Sequence, residues 1–91
     1  MPVIENVIKT KKLLVSDENP TVVFDGRCSM GIQLKAAPTN SGTIWIGGTD
    51  VTGVGGYPLL GGDSLFLPLG DCSQLRALAE IDQELLHFLV F

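Results

Sequence analysis

The side chains in this chain that could do chemistry are few: one histidine, His87, and two cysteines, Cys28 and Cys72. A histidine beside a cysteine can serve as base to a thiolate nucleophile. That chemistry needs a third group to orient the imidazole, and neither such a group nor a nucleophile elbow is visible. A lone histidine within the apolar run 85–91, LLHFLVF, is more often a packed or interfacial side chain. Zinc is unsupported, because there is no C-x-x-C and 43 residues separate the cysteines. Asp50, Asp63 and Asp71, and the trio Glu80, Asp82 and Glu84, lack the spacing of a calcium loop and sit where turns want carboxylates. The glycine-rich stretch has no Lys-Ser/Thr after Gly56 or Gly62, no G-x-G-x-x-G and no helix start, so it does not read as a phosphate cradle. The expectation is a protein without catalysis, cofactor or metal.

Composition points instead to surfaces. A chain of 91 residues is one domain, and a domain this small buries only about 60–65% of its unfolded surface. An apolar fraction of 45% against 18% charged residues is high for so little interior, which predicts a subunit contact. Six basic and ten acidic residues, a net charge of −4, argue against a nucleic-acid partner. Lys9, Lys11 and Lys12 form the one basic cluster. Met1-Pro2-Val3 does not open a signal peptide, and no apolar run approaches the roughly 20 residues of a membrane helix. Both cysteines are therefore expected as reduced, largely buried thiols, with a disulfide as the alternative.

The elements that must position these residues read as strands. Residues 1–12 suggest an N-terminal arm leading into a strand over Leu13–Val15, and residues 13–91 a single β domain. Ser16 to Pro20 is a turn, and Thr21–Phe24 the next strand. Gly31–Ala37 alternates, with Ile32, Leu34 and Ala36 on one face and Gln33 and Lys35 on the other. Thr43–Gly47 is β-branched and aromatic; if it pairs with Gly31–Ala37 as a hairpin, Trp45 falls on the side of Gln33 and Lys35. Ser64–Leu69 alternates with Leu65, Leu67 and Leu69 to one face and Phe66 to the other. Between these two strands Gly47-Gly48, Gly55-Gly56 and Gly61-Gly62-Asp63 offer positions where φ can be positive. Residues 73–86 are rich in helix formers and carry leucines at helical spacings, whereas His87 to Phe91 is aromatic and β-branched. Local propensity leaves helix and hairpin both open there.

The succession GIQLKA, SGTIWIGGTDVT, GGYPLLGGDSLFLPLGD, SQLRALA and LLHFLVF, from Gly31 to Phe91, resembles a family of small virion proteins of tailed bacteriophages. Gly42, Thr43, Ile44, Gly47, Gly48, Val51, Thr52, Tyr57, Pro58, Leu59, Gly62, Asp63, Ser64 and Leu65 carry the likeness; Trp45 stands where that pattern has tyrosine. In such a scaffold a strand crosses the sheet, two glycines turn it over the edge, Val51 plugs the loop and Tyr57-Pro58-Leu59 brings the chain back. The resemblance decides for two strands, Leu75–Ala79 and Leu85–Phe91, joined as a hairpin.

The fold expected is an all-β, antiparallel sandwich or flattened barrel of about seven short strands. The resemblance implies a capsid decoration or cement protein assembled in a bacterial cytoplasm, trimeric, binding the major capsid protein or another virion protein on the head surface. A tail, fibre-base or baseplate component is the runner-up. A carbohydrate- or peptide-binding module, with Trp45 and Tyr57 as stacking platform, comes from another class. The candidate interface residues are Trp45, Phe66, Tyr57, His87, Phe88, Phe91, Lys9, Lys11 and Lys12.

Overall fold

The alternating segments form strands, and in the computed structural model, which describes residues 9–26 and 30–90, they number eight. These are β1 (Lys9–Val15), β2 (Thr21–Val22), β3 (Ile32–Ala36), β4 (Ile44–Gly47), β5 (Tyr57–Leu59), β6 (Ser64–Leu67), β7 (Arg76–Ala79) and β8 (Glu84–Val90). One sheet has the order β1-β8-β3-β6 and the other β2-β7-β4-β5, all pairs antiparallel. First pairs with last throughout: β1 with β8, β2 with β7, β3 with β6 and β4 with β5. The chain is thus one long antiparallel ribbon, doubled at β4–β5 and rolled until β3 meets β8 and β4 meets β7. That is the jelly-roll form of the sandwich.

The eighth strand is β5, which the sequence hides behind Pro58. Proline lacks the N–H of a ladder, yet β5 lies at a sheet edge, where that loss is tolerated. The N-terminal boundary also moves: β1 begins at Lys9, so Lys9 to Lys12 are paired strand and not arm, while residues 1–8 lie outside the described residues.

Two pairings expected from the sequence do not form. Residues 76–79 and 84–90 are strands, as the resemblance required, but they enter opposite sheets and are not a hairpin. Their burial alternates, with Ala77, Ala79, Leu86, Phe88 and Val90 inside, so period-two packing overrides the helix propensity of the segment. Likewise β3 and β4 lie in opposite sheets, which puts Trp45 on the far outer surface from Gln33 and Lys35. Apart from β4 and β5, strands that are neighbours in sequence lie in opposite sheets, joined by loops at the ends of the sandwich.

The inward residues Val15, Ile32, Leu34, Ile44, Leu59 and Leu86 are at most 1% exposed, and each contributes about 1.5–3 kcal/mol by leaving water. Phe24 and Phe88 close one end, ring centroids 6.1 Å apart and tilted by 57°. Leu65, Leu67 and Leu69 pack against this core, as their alternation predicted.

The glycines act less through φ than expected. Of those in the 41–69 stretch only Gly62 has a positive φ, 89°. Gly56 is needed for want of space: a Cβ there would lie 2.6 Å from Trp45 Cβ and 2.8 Å from Val51 Cγ2. Val51, 7% exposed, does plug this loop.

The expectation of two reduced thiols is overturned. Cys72 is buried and disulfide-bonded. The sequence holds one other cysteine, Cys28, which lies outside the described residues. The reduced reading rested on the redox setting expected without a secretory signal; in the fold the backbone at Cys72 is tied to the strand-β2 side of the chain, Cys72 N donating to Gly26 O at 3.0 Å.

Candidate functional site

Outward side chains of the β1-β8-β3-β6 sheet fall into three rows across the strands. In the middle row Lys12 faces His87, His87 faces Lys35, and Lys35 faces Ser64. On one side Leu14 faces Leu85; on the other Leu89 faces Gln33, and Gln33 faces Phe66. Directly opposed side chains in such pairs stand about 4.5–5.5 Å apart at Cβ, so the row sets a lysine on each side of the histidine. Neither Lys12 nor Lys35 has a carboxylate partner among the described residues. Leu14 is 55% and Phe66 45% exposed, framing the basic row with apolar surface. A shallow depression of about 390 Å³ opens here, lined by Gln33, Lys35, Ser64, His87, Phe88 and Leu89.

The carboxylates are elsewhere. Glu84 is buried and its Oε1 accepts from Ser41 N at 3.1 Å and Gly42 N at 2.8 Å. Every other described acid lies in a loop. Asp17, Glu18, Asp63, Glu80 and Asp82 gather at one end of the sandwich, and several of them hold turns. Asp63 Oδ2 accepts from Leu60 N, Asp82 Oδ1 from Asp17 N and Glu80 Oε1 from Thr43 N. Among the described residues the outer face of this sheet therefore carries lysines and no carboxylate, in a chain of net charge −4.

Of the residues picked from the sequence, the fold brings Lys12, His87 and Phe66 onto this one face. Lys9 and Lys11 lie in β1, in register with Val90 and Phe88 of β8. Phe88 itself is 4% exposed and belongs to the core, which corrects its place in an interface. Phe91 lies outside the described residues. Trp45 is half-buried on the opposite surface of the sandwich, in a row with Leu78 and Pro58, and Gly53 and Gly56 close over it. Tyr57, 57% exposed, pairs with Ile46 and so takes the opposite register to Trp45; the two do not form one stacking face. Sequence reading missed Lys35, Leu14, Gln33 and Ser64 as members of the surface. Lys35 was legible as a wet-face residue, but its alignment with Lys12 needs the order β1-β8-β3.

Among the described residues no group of three His, Cys, Asp or Glu is placed to hold a metal, and no helix is long and apolar enough to cross a membrane. No family model matches the chain, and no curated protein or solved structure was found to match it.

Proposed function

We propose that this chain is a structural protein of a tailed-phage particle that binds the outer head surface as a trimer and bridges neighbouring capsid subunits. The reading is carried by one observation: a two-sheet scaffold presents an outer face with lysines and apolar side chains together and, among the described residues, no carboxylate. Mixed surface of that kind serves protein contact, since apolar residues supply affinity and charge supplies partner choice. The sequence likeness from Gly31 to Phe91 points to the virion, and jelly rolls are a form that capsid proteins use, an analogy of fold only. A trimer on a repeating shell repeats each modest contact three times, so that avidity multiplies weak affinities.

Mixing the purified protein with heads that lack it, then imaging the particles, tests the reading. Many regularly spaced copies are expected. Density confined to the portal vertex would assign a tail or fibre-base role, and absence from every part of the virion would overturn both. Light scattering behind a sizing column gives the subunit number.

A further inference from the structure

We propose that the outer face of the β1-β8-β3-β6 sheet docks an extended, acidic segment of a partner protein, its carboxylates over the Lys12–His87–Lys35 row and its apolar side chains over Leu14 and Leu85 on one side and Leu89 and Phe66 on the other. This rests on the capsid-binding reading for the partner's location, which is the head shell, but its chemistry is derived from the face itself.

Charge complementarity selects the occupant. Lys12 and Lys35 lie on either side of His87 with no carboxylate partner among the described residues. An anionic partner supplies the missing counter-charge. A second copy laid face to face would set basic row against basic row, a juxtaposition that suppresses binding. The spacing fits a peptide in extended form running along the strands: its residues i, i+2 and i+4 share one face at steps of about 6.8 Å, the step between the three rows, so a carboxylate at i+2 over the basic row puts apolar side chains at i and i+4 over the rows on either side. The apolar rows bordering the charges, with Leu14 at 55% and Phe66 at 45% exposure, ask for leucine-like side chains beside them. A polyanion without apolar groups would leave them uncovered.

Two binding measurements test this. In the first, Lys12→Glu/Lys35→Glu is compared with wild type for binding to heads lacking the protein. A Val22→Glu/Val54→Glu variant places new acids on the other sheet and at a loop tip as a control. In the second, a fluorescein-labelled peptide with leucine, glutamate and leucine at alternate positions and serine between them is titrated against the same proteins, and dextran sulfate is used as competitor. The Lys variants are expected to fold, since both side chains are exposed, and unchanged circular dichroism checks it. They should bind both heads and peptide at least about tenfold more weakly, with the control unchanged. Peptide binding without head binding supports the docking face and overturns the capsid reading. Equal head binding by wild type and Lys variants overturns the docking face and leaves the capsid reading standing. Absence of saturable peptide binding, tight binding of dextran sulfate alone, or a change of oligomer mass in the Lys variants each overturns the docking face, the last by making it a contact between copies.

Discussion

Asn40 and Leu85 exchange two hydrogen bonds: Asn40 Nδ2 donates to Leu85 O at 2.8 Å, and Leu85 N donates to Asn40 Oδ1 at 3.0 Å. The side-chain amide copies the pairing of a strand residue and ties the β3–β4 loop to the start of β8, next to the Glu84 carboxylate that holds Ser41 and Gly42. Asn40→Ala should cost about 1–2 kcal/mol, the worth of two part-buried bonds. Asn40→Asp should cost at least as much, because it turns a second acceptor toward Leu85 O. Urea midpoints at unchanged slope measure both; an alanine variant as stable as wild type would show the loop to be held by Glu84 alone.

Gly56 and Gly62 should respond differently to alanine. At Gly56 the new methyl would stand 2.6 Å from Trp45 Cβ, so overpacking predicts a loss of about 1–3 kcal/mol with a shift in tryptophan fluorescence as the ring is displaced. At Gly62 nothing lies within 4 Å of the added carbon, and only the backbone, at φ 89°, resists. Gly62→Ala should cost about 1–2 kcal/mol and leave the fluorescence unmoved. Equal fluorescence in both variants would mean that Gly56 does not hold the ring.

Gln83 is the one described residue other than glycine with positive φ, 66°, in the turn between β7 and β8. Its backbone N–H donates to Val15 O at 3.0 Å, which holds the turn in place. Gln83→Gly removes the left-handed strain of about 1–2 kcal/mol and adds back unfolded-state freedom of about 0.5–1 kcal/mol, for a net gain of about 0.5 kcal/mol. A lowered melting temperature would show that the Gln83 side chain contributes more than its strain costs.

The disulfide at Cys72 predicts that no thiol labels when the unreduced protein is alkylated under denaturing conditions. Cys72→Ser should lower stability by about 4 kcal/mol, the chain-entropy value for a loop of roughly 45 residues. Two alkylated cysteines in the intact mass would restore the reduced state that the sequence suggested.

Sequence alone determined the strand class and most of the core, because side-chain alternation has a period of two wherever one face is buried. Ile32, Leu34 and Ala36, and Leu65, Leu67 and Leu69, could be assigned to the inside on that ground. The same alternation says which residues are wet but not which sheet they belong to. Placing Trp45 on the side of Gln33 and Lys35, and joining residues 75–79 to 85–91 as a hairpin, both paired segments that are neighbours in the chain, while the reduced cysteines followed from the redox setting expected without a secretory signal. In this fold chain order misleads, since every pair of successive strands except β4 and β5 crosses the sandwich and the pairs are first with last. His87 drew notice as the single histidine; that it stands between Lys12 and Lys35 was decided by β8 entering between β1 and β3, a long-range pairing that no local window of sequence contains.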